Sequence, residues 1–127
     1  GHELKGILYD PIGDREKTGF VFTHGGLIGM NGAFRFNTRA ARRLAAAGFP
    51  SICCDTHGVG RSGGALEDQD QRVLFRKICG GLFAADVRAS AAELRKGSGA
   101  EKVCVFGVCG GAITNIIAQA RYSEIDE

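Results

Sequence analysis

The sequence predicts an α/β domain in three layers, a mostly parallel sheet sandwiched between helices, on the strength of three observations. Short apolar runs alternate with longer segments whose apolar residues recur at helical spacing, and that β-α-β order forces neighbouring strands to run parallel. Two of the runs, Gly19-Phe20-Val21-Phe22-Thr23 and Val103-Cys104-Val105-Phe106, are too apolar for a sheet face open to water. Finally, Gly107-Val108-Cys109-Gly110-Gly111 joins the second run to a helical segment without a spacer, leaving one reactive side chain at the turn.

In chain order, Leu4 to Tyr9 alternates loosely and stops at Asp10-Pro11-Ile12-Gly13-Asp14, a turn cluster, so it reads as an edge strand. Gly19 to Thr23 reads as a central strand ending in His24-Gly25-Gly26. Small residues at the carboxyl end of such a strand let a ligand approach backbone amides, and open parallel sheets bind ligands at that end. A helix is predicted over Phe34 to Ala47, with Phe36, Ala40, Leu44 and Ala47 inward, Arg39, Arg42 and Arg43 outward, and Gly48 as its C-terminal stop. Phe49 to Asp55 starts the next strand.

That strand runs into Asp55-Thr56-His57-Gly58-Val59-Gly60-Arg61-Ser62-Gly63. Gly58, Gly60 and Gly63 match the G-x-G-x-x-G dinucleotide fingerprint. The motif opens no clean helix and its strand is not the first of the chain, so dinucleotide binding is the weaker reading and no cofactor is expected. Leu66 to Ile78 reads as a short helix over the sheet's rim. Its acids come early (Glu67, Asp68, Asp70), its bases late (Arg72, Arg76, Lys77), and Val73, Leu74 and Ile78 form its stripe. After Gly80-Gly81, Leu82 to Lys96 forms another helix with Phe83, Val87, Ala91 and Leu94 on one face, ended by Gly97-Ser98-Gly99. Val103 to Phe106 reads as a strand buried on both faces and Ala112 to Ala120 as a helix. The polar tail, Arg121 to Glu127, is expected to fray.

The chain of 127 residues makes one domain over 1–127, short beside α/β folds that reach ~200–250 residues. Sixteen Lys and Arg against 14 Asp and Glu leave a net charge of +2 without a basic cluster, which points neither to nucleic acid nor to a membrane surface. The apolar runs fall far short of the ~20 residues of a spanning helix, and no signal-peptide pattern opens the chain, so a cytoplasmic location is expected. Five cysteines are an odd number, and the adjacent Cys53 and Cys54 point to opposite faces of a strand, a poor disulfide framework. There is no C-x-x-C and the three histidines are scattered, so no metal site is expected. Gly1-His2 reads as the remnant of a cleaved expression tag and is set aside.

The stretch around Cys109 carries the chemistry. A strand-to-helix corner this sharp strains its central residue and needs glycine where a Cβ would strike neighbouring backbone. The partial positive charge of a helix N-terminus favours the thiolate form of a cysteine placed there, and the amide of Gly110 would point at an oxyanion beside the sulfur. The competing reading is structural, since cysteine is among the most buried residue types.

Taken together, His24-Gly25-Gly26 after a central strand, Asp55, Gly58, Gly60 and Ser62 after the next, and G-x-C-x-G between strand and helix resemble the α/β-hydrolase family in order and spacing. The cysteine variant looks most like its dienelactone-hydrolase-like and exosortase-associated branches. The resemblance runs from about Leu4 to Ala120. It implies a truncated α/β-hydrolase fold with Cys109 as nucleophile, Gly110 and Gly26 as oxyanion donors, and Leu27 as the neighbour that could serve in place of Gly26. It further implies that His24 orders the oxyanion loop, and that His57, Asp55 and Ser62 hold mainly structural positions.

One departure is large. In that family the acid and then the histidine base follow the nucleophile in the chain, whereas residues 110–127 contain no histidine. The resemblance therefore covers an amino-terminal half, and His24 is the stand-in base to consider. The expected function is hydrolysis of a small ester, thioester or lactone through Cys109, weak or absent in the chain alone. The alternative is a non-catalytic small-molecule or protein-binding module derived from such a hydrolase. With no later strands, Val103 to Phe106 would lie at the sheet edge, and exposed apolar edges recruit other chains, so a homo-oligomer covering it is expected.

Overall fold

The structure, a computed structural model, describes residues 1–67 and 70–127; Asp68, one of the early acids counted above, lies outside the described residues. The strands are β1 (Gly6–Tyr9), β2 (Thr18–Phe22), β3 (Ser51–Cys54) and β4 (Lys102–Phe106), and the helices α1 (Phe36–Ala46), α2 (Gln71–Cys79), α3 (Ala84–Ser98) and α4 (Gly110–Arg121). A single 3₁₀ turn, Ala33–Arg35, leads into α1. The sheet order is β1-β3-β2-β4, with β1 antiparallel to β3 and the other pairs parallel. The chain thus forms the expected three layers, with an antiparallel edge strand on a parallel sheet.

Strand alternation sorts the two cores. On one face Val21, Ile52 and Val103 pack against Val87, Ala91 and Leu94 of α3 and Ala118 of α4. On the other, Phe20, Phe22 and Cys53 meet Ala41 and Leu44 of α1. Helix α3 ends at Gly99, whose φ of 73° terminates the helix in the left-handed conformation that glycine adopts without cost. Helix α2 starts at Asp70, whose carboxylate accepts the amides of Arg72 (2.8 Å) and Val73 (3.4 Å). Leu74 and Ile78 then bury against Val59 and Phe83.

Three expectations need correction. The α1 stripe is rotated: Asn37, Thr38 and Ala41 are its buried residues, while Phe36 is half exposed. The reason is that α1 lies over β2 and β3 and stops short of β4. Phe36, Ala40 and Leu44 consequently border an open apolar groove with Phe20, Phe22 and Phe106, rimmed by Arg39 and Arg43. For the same reason β4 is buried on one face only: Val103 is inaccessible, whereas Phe106 is 39% exposed.

The tail, finally, does not fray. It folds back along β4, where the amide of Val105 donates to Glu127 O (2.7 Å), the amide of Asp126 to Val103 O (3.0 Å) and the amide of Val103 to the Asp126 carboxylate (2.7 Å). Ile125 is buried in the α3–α4 core, and Arg95 holds both Glu124 O and the Asp126 carboxylate at 2.9 Å. Residues 126 and 127 bond along the outer edge of β4 at Val103 and Val105, and the groove beside Phe106 is an open apolar face.

Candidate active site

The corner between β4 and α4 is set by steric demands readable in its glycines. Cys109 has φ 55° and ψ −124°, a conformation that L-residues adopt only under strain. A Cβ on Gly107 would run into the Thr23 hydroxyl and come within 2.8 Å of Asn115 Nδ2. One on Gly111 would meet His24 O at 2.8 Å. The two outer glycines of G-x-C-x-G are therefore the positions where the corner presses on the end of β2. Thr23 ties the two ends together, its amide (2.9 Å) and hydroxyl (3.2 Å) both donating to Phe106 O. The Cys109 side chain is exposed.

The glycines after β2 fold over this corner. A Cβ on Gly25 would lie 3.6 Å from Cys109 Cβ, and one on Gly110 would lie 3.3 Å from the Gly26 nitrogen. The backbone of Gly26 thus touches that of Gly110. The amide of Gly110 sits in the first turn of α4, where a helix offers no internal acceptor. Gly26 itself has φ 57°, and Ile28 N closes a turn onto Gly25 O at 3.2 Å. Leu27 follows with a half-exposed side chain that lines the cavity beside the thiol.

His24 is buried beneath this turn and uses both ring nitrogens. The amide of Thr56 can only donate, so Nε2 accepts from it at 3.3 Å, with the Thr56 hydroxyl 3.1 Å away. Nδ1 then carries the hydrogen and donates to Gly26 O at 3.0 Å. Burial is the largest influence on the ring and pushes its pKa below the ordinary 6.5, against the opposing pull of Gly26 O, Asp55 and Asp86. A neutral imidazole committed at both ends orders the loop and has no nitrogen left to act as a base.

Asp55, 2% exposed, braces the same loop from β3. Its carboxylate accepts the amides of Met30 (2.6 Å) and Arg61 (3.0 Å), and its carbonyl accepts the Ser62 hydroxyl (2.5 Å), which in turn accepts the amide of Lys5 (2.8 Å). Gly58 and Gly60 hold positive φ within this loop and Gly58 N bonds back to Gly63 O, so the fingerprint glycines build a self-bonded turn. His57 points elsewhere. Its Nδ1 and its amide both reach the Asp86 carboxylate at 2.8 Å, and its ring packs edge-on to Phe83. Cys109, Gly110, Gly26, Leu27 and His24 are brought together, and His57 is not among them.

A cavity of about 560 Å³ opens in front of Cys109, walled by Leu27, Ile28, Phe34, Phe36 and Val108 with Asn37 and Thr23 at its base. Sequence reasoning singled out neither Asn37, which donates to Met30 O (3.2 Å), nor Asp86, the partner of His57. Asp86 acts across 29 residues and Asn37 across 7, through a loop whose path no local pattern records. Among the described residues no cluster of side chains could hold a metal, and all five thiols are free. No helix among them is long and apolar enough to cross a membrane.

No protein-family model matches the chain, and no curated protein sequence does. Solved structures do. The chain is similar to the α/β hydrolase GrgF from Penicillium sp. sh18, at 18% identity and a TM-score of 0.72, over 98% of this chain and 39% of that one. It is similar to an a/b serine hydrolase without a lid from Xanthomonas campestris (21% identity, TM-score 0.67), over 93% of this chain and 50% of that one. A cold-adapted esterase from an Arctic intertidal metagenomic library matches at 17% identity and a TM-score of 0.72, over 96% and 52%. The chain therefore spans about half or less of the length of these structures, and at such identities the likeness concerns the fold.

Proposed function

Because the chain carries part of an α/β-hydrolase fold, we propose that it supplies the nucleophile and oxyanion site of a cysteine hydrolase acting on small esters, thioesters or lactones. The observation that carries this reading is the strained, exposed Cys109 facing a cavity, with the Gly26 backbone laid against Gly110. In the proposed step the Cys109 thiolate attacks the substrate carbonyl carbon and forms a C–S bond. The carbonyl oxygen takes the negative charge between the amides of Gly26 and Gly110. Collapse breaks the bond to the leaving alkoxide or thiolate, which takes a proton from water and leaves an S-acyl enzyme; a ring-opened lactone stays attached through its acyl carbon.

Hydrolysis of that intermediate needs a base to activate water. His24 is committed to Gly26 and Thr56, and no carboxylate lines the cavity. Acylation is thus expected without fast turnover in this chain alone, since a thiol tolerates the missing base better than a hydroxyl does. A reduced thiol at residue 109 suits a reducing compartment such as the cytoplasm. The same absence of a base favours a second reading, in which the cavity serves a non-catalytic small-molecule or protein-binding module. Exposure to p-nitrophenyl acetate separates the two. A stoichiometric burst of nitrophenolate with an acetyl group mapped to Cys109, lost in Cys109→Ala, supports the first; no acetylation of Cys109 supports the second.

A further inference from the structure

We infer that the cavity in front of Cys109 selects an uncharged, apolar acyl chain, and that Phe34 at its rim sets how long that chain can be. The inference rests on the cysteine-hydrolase reading and adds the substrate class. The walls are Leu27, Ile28, Ala33, Phe34, Phe36 and Val108, and no Asp, Glu, Lys or Arg side chain lines the space. The side-chain donors at its base are already engaged: Thr23 donates to Phe106 O, Asn37 Nδ2 to Met30 O and His24 to Gly26 O. A carboxylate on the acyl chain would lose its water and find no free side-chain donor there. Its volume of about 560 Å³ lies within the range of pockets that take small organic ligands.

The apolar walls are also unusually open. Leu27, Ile28, Phe36 and Val108 are each about half exposed and Phe34 almost fully, a contiguous patch of the kind that marks ligand surfaces. Phe34 is held out at the rim by its backbone. Phe34 (φ 52°, ψ 26°) and Arg35 (φ 58°, ψ 30°) are consecutive left-handed residues, neither a glycine. Bonds on both sides fix them, from Arg35 N to Gly32 O (3.2 Å), from Asn37 N to Asn31 O (3.0 Å) and from the Thr38 hydroxyl to Asn31 Oδ1 (2.7 Å). Such strain persists only where surroundings impose it, and its effect here is to stand one aromatic ring beside the entrance.

The test uses p-nitrophenyl acetate, butyrate, hexanoate and hemisuccinate, with Cys109 acylation followed by peptide mass mapping and each rate divided by that of a free small thiol. Burial of a methylene predicts a rise of about fourfold per CH₂ from acetate to butyrate, and hemisuccinate should be at least about tenfold slower than butyrate. Phe34→Ala should change the hexanoate-to-butyrate ratio. Phe34→Gly, which relieves the left-handed strain, gives the same readout in a chain whose folding is not put at risk. Alkyl methanethiosulfonates of matching lengths, together with the 2-carboxyethyl reagent, probe the cavity without any oxyanion. Here the Cys109 thiolate takes the alkylthio group to form a mixed disulfide, and methanesulfinate leaves. Uniform normalised rates with both reagent sets overturn the inference and leave the nucleophile reading standing. A chain-length and charge preference with the thiosulfonates, but no acylation by any ester, supports the cavity's selectivity and sinks the acyl chemistry instead.

Discussion

His24 Nδ1 stands 3.0 Å from the carbonyl oxygen of Gly26, and the opposite nitrogen of the same ring accepts the amide of Thr56. One neutral imidazole therefore joins the ends of β2 and β3 and sets the turn that holds the Gly26 amide. Burial keeps the ring's pKa below its ordinary 6.5. In the unfolded chain the ring titrates near 6.5, so between that value and the lower native one the unfolded state binds more protons. The contribution of neutral His24 is then fully present above pH 6.5 and declines as the pH falls toward the native pKa. Urea midpoints measured on either side of pH 6.5 should show this decline. His24→Gln should remove it, and identical pH slopes in the two proteins would refute the assignment of a neutral, doubly bonded ring.

The strain at Cys109 makes an unusual prediction for substitution. At an ordinary position glycine costs about 0.5–1 kcal/mol relative to alanine through its unfolded-state freedom. At φ 55° and ψ −124° the order should invert, because alanine retains a strain of about 1–3 kcal/mol that glycine lacks. Cys109→Gly should be more stable than Cys109→Ala by about 1 kcal/mol in urea denaturation, with acylation abolished in both. If alanine proves the more stable replacement, the corner is not strained.

Two other glycines separate steric demand from backbone demand. Around Gly26 a Cβ would meet nothing within 4 Å, so Gly26→Ala has only its φ of 57° to overcome and should cost about 1 kcal/mol. Around Gly111 φ is ordinary, but a Cβ would press on His24 O at 2.8 Å and the Thr23 hydroxyl at 3.0 Å. Gly111→Ala must part β2 from α4 and should cost about 2–3 kcal/mol, the upper part of the range of overpacked cores. Calorimetric melting of the two variants checks the ranking.

These glycines also explain why so much of the architecture could be read from the chain. The corner depends on residues within five positions of one another, and strands such as Val103 to Phe106 announce themselves by local composition, so fold and corner were legible. What escaped depends on distant partners. Nothing local in Arg121 to Glu127 says that Asp126 will cap the amide of Val103 or that Ile125 will enter the core. Phe34 and Arg35 show no sequence mark of left-handed backbone, which glycine or asparagine would have given. The stripe on α1 was visible, but its rotation toward an open groove depends on where the helix crosses the sheet.

Asp55 offers a prediction about how the loop is held. Its carboxylate, on a residue 2% exposed, satisfies the amide of Met30 in a buried bond and that of Arg61 in a part-buried one. Asp55→Ala leaves two donors without an acceptor, at about 1–3 kcal/mol each, and frees the segment that carries Gly26. Stability should fall by about 2–5 kcal/mol, and ester acylation of Cys109 should slow even at temperatures where the variant stays folded. Modification by a methanethiosulfonate, which needs no oxyanion donors, should be nearly unchanged. Equal loss with both reagents would mean that Asp55 supports the thiol itself and not the loop.

The tail gives the prediction with the widest consequence for the fold. Glu124 to Glu127 fills the outer edge of β4, and Ile125 sits 4% exposed among residues of α3 and α4. Truncating that side chain in Ile125→Ala removes buried methylenes from a packed core and should cost about 2–4 kcal/mol. Deleting residues 124–127 should do more than destabilise. It strips the partners from the amides of Val103 and Val105 beside a strand whose neighbouring face already exposes Phe106. An unpaired, apolar edge pairs with other chains. The deletion variant should scatter light at concentrations where the full chain does not, while Asp126→Ala, which leaves Ile125 and the backbone bonds in place, should show only the stability loss. A deletion variant as stable and as dispersed as the full chain would mean that the tail does not dock on β4.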